Sequence, residues 1–554
     1  MINLLRGARQ KLARLRPVRV PDAPARPFRD LWPGDAARGA RLLRGEADFA
    51  GTIRPLRIAT EGGEGWGAAG ASATWRAAAH GFAWLRDLRA LGTDAARLRA
   101  RALTADWLQR GWEEDIADAP EVVGARLSAW LGHWDFFAAT AEDVFRRQVM
   151  QRLAQDARDL VGALPAEAEH RGALVALKGA LAAAIALEEE AYLQRAVRFL
   201  PAEIERQFLP DGGHVERSPG QQLLALQDLI EIRNLLHGVG VEAPPHLLAA
   251  LDRAAPALRL FRHGDGGLAL FNGTREESSA LLDLVLTQGQ ARGRAALELP
   301  ETGFQRLQAG RSLVIMDTGA PPTSRAGIFG LGGLPTGADR FSHAGTLSFE
   351  MSVGRDRLIV NCGAAPAGEE AWRDALRATA AHSTLVLSDT NSSELRLEGL
   401  GRKPEKVDAE RQEATGAQWL EVSHDGWRSA FNAVHRRRLY LAESGDDLRG
   451  EDVLEIPPDM PVPIFVVRFH LHPAVIANLL QDESAVLLRL PSGAGWKLRA
   501  KGARVALEDS IYLAGEARRS LQIVLHAEEN EVSLQWAITR VSLPSPAAAL
   551  TAET

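Results

Sequence analysis

Between about residues 72 and 262, apolar side chains recur at the spacing of an α-helix. Four runs share spacings of three and four residues: Trp75/Ala79/Phe82/Leu85, Leu127/Trp130/Leu131/Trp134, Leu174/Leu177/Leu181/Ile185 and Leu223/Leu226/Leu229/Ile230. Glycine and proline mark the breaks near 119–120, 162–165, 210–213 and 238–245. The pattern predicts roughly seven to nine helices joined by short loops, as an α/α array or partial toroid.

From about residue 303 the pattern changes to short runs rich in branched and aromatic side chains. These runs predict strands over 312–316, 346–353, 357–360, 384–387, 438–441, 464–470, 485–490, 521–526 and 532–538. Strands without long helices between them indicate an antiparallel β-sandwich. We therefore predict a basic N-terminal arm and extended segment over 1–45, a helical domain over 46–300 and a β-sandwich domain over 301–545. A ligand site is expected first in the cleft between two such domains.

Overall charge and cysteine content narrow the classes of function. The 554-residue chain has a formal net charge of -6, so it lacks the general basic field of a non-specific nucleic-acid-binding protein. An anionic partner would need a local basic patch. Cys362 is the single cysteine, which rules out an intramolecular disulfide and favours a reducing compartment.

The first 20 residues are strongly basic. They contain Arg6, Arg9, Lys11, Arg14, Arg16 and Arg19, and no acidic residue precedes Asp22. The segment lacks the apolar stretch and small-residue cleavage site of a secretory signal, so we expect a cytoplasmic location. No run reaches the length of a transmembrane helix. The segment is interpreted as a solvated basic arm or short amphipathic helix, or as a peripheral contact with an anionic membrane through residues 1–20.

A first cluster of ionisable residues occupies the predicted loop 211–219, whose sequence is Asp-Gly-Gly-His-Val-Glu-Arg-Ser-Pro. Ser218 and Pro219 suit the start of the following helix, as N-cap and first-turn residue. One interpretation is an ordinary helix entry. The other is a functional site, because His214, Glu216 and Arg217 stand together at a helix N-terminus, where anions bind favourably.

Further clusters lie at predicted strand ends in the C-terminal half. His343 and His382 each precede a strand, Asn361 follows one, and Arg340 and Arg377 lie nearby. The two histidines and Asn361 could meet in space. Two histidines with an aspartate would suit zinc, but a neutral amide is a poor zinc ligand. A hydrogen-bonded structural pair of histidines is therefore the competing interpretation.

Taken in order, these clusters resemble those of the heparinase II/III-like polysaccharide lyases. The likeness rests on 211–219, Ser342–Glu350, Ile359–Gly363 and Ala381–Thr384, and it extends over roughly 70–540. It implies an α + β multidomain fold, in which an incomplete α/α toroid precedes an antiparallel β-sandwich. It also implies β-elimination on a uronic-acid-containing polysaccharide. In that reaction the sugar carboxylate is neutralised, a base removes the neighbouring proton and an acid protonates the leaving oxygen.

The resemblance also suggests roles for individual residues. His214, His343 and Glu216 would be catalytic, and the residues placing the acidic substrate would be Arg217, Arg340, Arg377 and Gln222. His343, Asn361 and His382 match positions that hold a structural zinc in some members, while the reaction itself requires no cofactor. The family works mostly in the periplasm or cell envelope, which is the alternative location.

The sequence departs from the family where active members carry a Tyr-His pair, because Gly220-Gln221-Gln222 stands there. None of the three tyrosines lies in a motif, and Phe341 and Gly345 replace the outer positions of a His-x-His-x-Asp motif. Two readings remain open: a lyase acting on an acidic polysaccharide, or a catalytically impaired relative that binds carbohydrate or assists envelope polysaccharide assembly. A glycoside hydrolase is a third, although no carboxylate pair is placed together by the sequence. Oligomeric state is left open.

Overall fold

The structure of the chain is a computed structural model. It describes residues 20–541 apart from 27, 63–65, 67–69, 111–113, 167, 169–170, 291–292, 324–336 and 367–368. Residues 1–19, which contain the basic segment predicted to contact a membrane, lie outside the described residues.

The N-terminal domain is helical, as predicted. Its helices are α1 (Ala36–Leu43), α2 (Ala73–Gly81), α3 (Leu85–Ala90), α4 (Asp94–Arg110), α5 (Pro120–Gly132), α6 (Trp134–Phe137), α7 (Asp143–Ala163), α8 (Gly172–Ala186), α9 (Glu190–Gln207), α10 (Pro219–Gly238), α11 (Pro245–Leu260) and α12 (Ser279–Gly289). A short hairpin, β1 (Glu46–Phe49) with β2 (Thr52–Pro55), follows α1. Among the described residues, no helix is both long and apolar enough to cross a bilayer.

The centre of the helical domain is α8, which is apolar on nearly every side and buried along most of its length. It packs closely against α5 at Gly179, where an added Cβ would lie 2.4 Å from the Cα of Gly124. Only glycine permits that approach. The N-terminal segment differs from the prediction, since residues 36–43 form a helix. Trp32 and Leu42 are buried in the helical core, so this stretch packs within the helical domain.

The C-terminal half forms two antiparallel sheets, which confirms the predicted fold class. Its strands are β3 (Glu298–Leu299), β4 (Phe304–Ala309), β5 (Ser312–Asp317), β6 (Phe349–Val353), β7 (Asp356–Val360), β8 (Leu385–Leu387), β9 (Val407–Ala414), β10 (Ala417–Trp427), β11 (Ala433–Leu441), β12 (Asp447–Glu455), β13 (Phe465–Leu471), β14 (Ile476–Leu479), β15 (Ala485–Arg489), β16 (Gly495–Lys501), β17 (Ala503–Leu513), β18 (Ala517–Ala527) and β19 (Ser533–Val541). Two short helices, α13 (Glu370–Arg377) and α14 (Arg428–Phe431), interrupt the series.

The order of strands defines an inner and an outer sheet. The inner sheet runs β17-β18-β13-β7-β6-β5-β4-β3, with β8 paired to β13, and the outer sheet runs β14-β15-β16-β19-β12-β11-β10-β9. Their facing sides share one core, in which the rings of Phe349 and Trp536 stack with centroids 5.8 Å apart. Arg437 is fully buried in this core, where its guanidinium pairs with Asp452 and donates to the carbonyls of Leu347 and Ser383.

The two domains share an apolar interface. Phe304 of β4 meets Phe261 and Phe271 edge to face, with ring centroids 4.8 and 5.4 Å apart. Leu299, Leu313 and Ile315 belong to the same buried cluster as the helices. This contact fixes the inner sheet against the helical domain and brings the loop before α10 close to the start of β4 and the end of β5.

Candidate functional site

The loop between α9 and α10 contains the first predicted cluster and is tied to the β-domain. The Asp211 carboxylate accepts hydrogen bonds from the backbone N–H and hydroxyl of Thr302, both at 2.7 Å. Gly213 lies against the same threonine, and a Cβ there would be 1.8 Å from its Oγ1. The loop is therefore shaped to hold the start of the β-domain. Pro219 begins α10 as predicted, whereas the Ser218 side chain makes no capping bond.

His214 is buried within this loop. Its Nε2 lies 2.9 Å from Oε1 of Gln207, an acceptor, so Nε2 carries the proton. Its Nδ1 faces Glu216, 3.4 Å from the backbone nitrogen and 3.7 Å from a carboxylate oxygen. The side chains of His214 and Glu216 are 1% and 0% exposed. Both ring nitrogens thus point at the protein, and neither reaches a surface where a sugar could bind.

Gln222 and Arg217 were both predicted to bind substrate. In the structure their side chains form hydrogen bonds with backbone groups of the protein. Gln222 accepts from the His214 backbone N–H and donates to the carbonyls of Gly212 and Ala254. Arg217 pairs with Asp317 at the end of β5 and donates to the carbonyls of Thr302 and Gly303. Burial raises the pKa of Asp317 while the Arg217 guanidinium opposes that change. Arg217 is thus a buried link between the domains.

A single amide joins the first cluster to the second. Asn272, in the loop after α11, donates from Nδ2 to the carbonyl of Arg217 at 2.8 Å. Its Oδ1 accepts the backbone N–H of His343 at 3.1 Å. The clusters that lie far apart in sequence therefore meet, as the motif order suggests, but they meet inside the protein.

His343 and His382 form a hydrogen-bonded pair whose tautomers follow from their neighbours. The backbone N–H of Gly273 donates to Nε2 of His343 at 3.0 Å, so the proton of that ring is on Nδ1. This Nδ1–H donates to Nε2 of His382 at 3.1 Å, and Nδ1–H of His382 donates to the carbonyl of Ala378 at 2.8 Å. Both acceptor nitrogens are occupied, so neither ring has a lone pair to take a proton from substrate.

Burial keeps both rings neutral. It lowers the pKa of His382 to about 4 and holds the pKa of His343 well below its usual value, with the neighbouring ring acting in the same direction on His343. A protonated His343 would lose the hydrogen bond from Gly273, because its Nε2 would no longer accept. The pair is therefore a structural element near neutral pH.

A zinc ion does not fit this donor set. The His382 ring lies against Gly345, where an added Cβ would be 2.5 Å from the ring, so this position has no side chain that could serve as a ligand. The Oδ1 of Asn361 already accepts the Ser383 backbone N–H at 3.0 Å. Across the described part of the chain, no group of three His, Cys, Asp or Glu side chains is arranged to hold a metal. The histidine pair and Asn361 instead satisfy neighbouring backbone groups.

The remaining predicted cations lie in different environments. Arg377 is buried and donates to the carbonyls of Ser342, Arg396 and Gly399, which closes the loop after β8. Arg340 is exposed, with its guanidinium 5.8 Å from the ring of Phe341. Of the nine residues predicted for this site, Arg340 alone reaches the surface; the others are at most 5% exposed.

The three tyrosines do not supply the missing acid or base. Tyr512 donates its hydroxyl to Glu276 at 2.6 Å, and burial raises its pKa. Tyr440 lies on the outer sheet, and Tyr192 is on α9. Residues 324–336, outside the described structure, contain neither tyrosine nor histidine. A tyrosine-based proton transfer at this site therefore has no residue to perform it.

Sequence reasoning missed the residues that organise this region. Glu350, quoted in a motif but given no role, accepts the backbone N–H groups of Leu270 and Asn361 and pairs with Nε2 of His263 at 2.8 Å. Glu350, His263, Asn272 and Asp317 are all buried. Their signal in the sequence is weak, because the residues that they contact lie far away along the chain: 87 residues separate His263 from Glu350, 55 separate Asn272 from Arg217, and 100 separate Asp317 from Arg217.

Comparison with known proteins places the chain. The family model described as heparinase II/III-like, C-terminal, matches residues 291–539. FtsZ-localized protein C of Caulobacter vibrioides (strain NA1000 / CB15N) is 32% identical over 540 residues, which cover 93% of this chain and 90% of that protein. The chain belongs to the heparinase II/III-like family. The matched range includes the second predicted cluster, with His343, Asn361 and His382.

Solved structures agree with this family at the level of the fold. A crystal structure of heparinase III superimposes with a TM-score of 0.73 at 14% identity, covering 97% of this chain and 89% of that one. The heparan sulfate lyase HepC of Pedobacter heparinus gives a TM-score of 0.59 at 14% identity, covering 98% and 88%. At this identity the likeness shows the heparinase II/III-like architecture alone. The activity of this chain has to be inferred from its own residues.

Proposed function

We propose that this protein is a non-catalytic member of the heparinase II/III-like family that binds an acidic oligosaccharide or polysaccharide and does not cleave it. One observation carries the proposal: the acceptor nitrogens of the histidine pair, Nε2 of His343 and Nε2 of His382, are both occupied by internal hydrogen bonds. His214 is likewise turned into the protein. A general base must come within hydrogen-bonding distance of the proton it removes, and buried rings do not.

The substitution at the Tyr-His position supports the same conclusion. Gly220 and Gln221 stand at that position, where α10 begins. Gly220 has no side chain, and the amide of Gln221 cannot act as an acid or base near neutral pH. The backbone N–H of Gly220 is bound to the Thr274 hydroxyl at 3.0 Å. Of the three arginines predicted to neutralise the sugar carboxylate, Arg217 and Arg377 are committed to protein partners, and Arg340 is exposed on the surface, away from the buried histidines.

Beta-elimination can be measured by the ultraviolet absorbance of the unsaturated uronate it creates. We expect no rise above background when the protein is incubated with heparan sulfate, alginate, hyaluronan and bacterial exopolysaccharides, while heparinase III on heparan sulfate gives a full signal. The protein should nevertheless be retained on an immobilised acidic polysaccharide. An absorbance rise that vanishes in His214→Ala would contradict the proposal and establish the second candidate function, a lyase with His214 as base. The 3.7 Å contact of His214 with Glu216 is the observation that favours this candidate.

For location, we propose that the protein works where FtsZ is found, at the inner face of the membrane. The name of the Caulobacter relative supports this place, and the basic segment 1–20 supports contact with an anionic surface, since its cations are uncompensated up to Asp22. In this arrangement the chain would need no export signal.

The membrane contact is tested by sedimentation with lipid vesicles. Full-length protein should co-sediment with vesicles containing phosphatidylglycerol and not with pure phosphatidylcholine, and a chain lacking residues 1–19 should stay in the supernatant with both. A fluorescent fusion should form a mid-cell band with FtsZ. Equal sedimentation of the shortened chain would show that residues 1–19 are not the membrane contact. A diffuse signal from the fluorescent fusion would contradict the proposed location.

A further inference from the structure

The outward side of the outer sheet contains a groove outside the motif region. It has a volume of about 680 Å³ and crosses β11, β12, β19 and β16. Ligand sites are typically concave spaces of a few hundred to a thousand cubic ångströms. The floor is low because β19 contributes Ala537, whose pairing partners are Arg449 on one side and Arg499 on the other.

One wall of the groove is aromatic. Trp419 pairs across the strands with Tyr440, their ring centroids are 5.0 Å apart, and Trp419 is 38% exposed. The Arg449 guanidinium lies 5.9 Å from the Tyr440 ring. The inward neighbours of these residues are fully packed in the sandwich core, so this ring pair is a rigid apolar surface that the fold leaves open.

The opposite wall is cationic and uncompensated. Arg499 and Lys501 point outward from β16 and are exposed. Within the part of the chain that the structure describes, no carboxylate lies within 4.0 Å of either. The cations nearer the aromatic wall differ, because Arg438 is paired with Glu421 and Glu451, and Arg449 with Asp447. The net positive charge of the groove is therefore concentrated at Arg499 and Lys501.

We propose that this groove is a binding site for an acidic oligosaccharide. The apolar C–H face of a pyranose ring would pack on Trp419 and Tyr440, and carboxylate or sulfate groups on the sugar would pair with Arg499 and Lys501. This inference rests on the proposed function and gives its ligand a place. The site lies on the outer sheet and is separate from the buried motif residues.

The position of the groove favours a glycan over an acidic peptide. Extended peptides bind a sheet by adding a strand at a free edge. Here the groove lies mid-sheet, where β12 and β19 are each paired on both sides, so their backbone groups are already bonded. A ligand in the groove must bind through side chains alone, as a ring with charged substituents does.

Calorimetric titration of the full-length protein with a heparan sulfate oligosaccharide tests the site. Arg499→Gln combined with Lys501→Gln should weaken binding by about tenfold or more, because two charged contacts are lost. Trp419→Ala should weaken it by a similar factor. The matched control combines Arg504→Gln with Arg519→Gln, which removes two exposed cations from β17 and β18 of the inner sheet and should leave the affinity within about twofold.

The outcomes separate this site from the proposed function. Undiminished binding in the Arg499/Lys501 and Trp419 variants would show that the groove is not the binding site and that the glycan binds elsewhere on the protein. Absence of binding by the unmodified protein would overturn both. Binding of an oligo-glutamate peptide but not of the oligosaccharide, lost in the Arg499/Lys501 variant, would reassign the groove to an acidic peptide.

Discussion

Acidification from pH 6.5 to 4 should unfold this protein cooperatively, because several of its histidines are buried as neutral rings. Burial lowers the pKa of His80, His133 and His382 to about 4 and that of His470 to about 3. In the unfolded chain each would titrate near 6.5. The unfolded state therefore binds more protons throughout this window, and stability must fall as the pH falls.

The expected loss is large. A histidine whose pKa drops from 6.5 to about 4 on folding costs the native state about 3 kcal/mol by pH 4, and four such groups together cost about 12 kcal/mol, which is comparable to the whole stability of a typical domain. Glu231 and Asp317, whose pKa values burial raises, offset part of the loss because the fold favours their neutral forms. The midpoint of acid unfolding should thus lie between pH 6.5 and 4. Circular dichroism across a pH series measures it.

Two variants test the cause of the acid transition. His382→Gln should lower stability at pH 8, because it disturbs the pair with His343, but its stability should fall less steeply with decreasing pH. His246→Gln, which replaces a half-exposed histidine, should leave both the stability and its pH dependence unchanged. If the His382 variant keeps the original slope, the buried rings are not the groups that titrate.

Replacing Arg217 with methionine should lower the free energy of unfolding by about 3–5 kcal/mol. The substitution leaves Asp317 buried without its cation and removes donors from the carbonyls of Thr302 and Gly303. Guanidinium denaturation, followed by tryptophan fluorescence, measures the change.

A compensated variant distinguishes a structural role from the predicted substrate-binding role. Combining Arg217→Met with Asp317→Leu removes both charges and should recover most of the lost stability. Glycan affinity of this double variant should equal that of the unmodified protein. A stable double variant with clearly weakened glycan binding would show that Arg217 contacts the ligand after all.

Several of the strands that the sequence predicted are buried on both sides. β5 is buried at every position, and such a run is visible without knowing its neighbours. β9 and β12 were not predicted, because β9 is polar at the sheet edge and β12 alternates buried residues with charged ones such as Arg449 and Glu451. Their charges face solvent, and only the register with adjacent strands shows this.

At the site, the motif order predicted which residues come together, and His343 does meet His382. Which way these residues face could not be predicted. Orientation depends on partners supplied by distant parts of the chain, such as the Gly273 backbone and the Asn272 amide. Gly345 was the strongest available signal, since the absence of a side chain there is what lets the His382 ring occupy the position.

The apolar contact between the domains has a consequence for the order in which the chain is made. Phe261 and Phe271 leave the ribosome before Phe304, so the helical domain emerges with one wall still uncovered. That wall is the surface on which β4 and β5 later settle, and it acts as a template for the inner sheet. A β-domain synthesised alone would lack this template and expose Leu299, Leu313 and Ile315 to association with other chains.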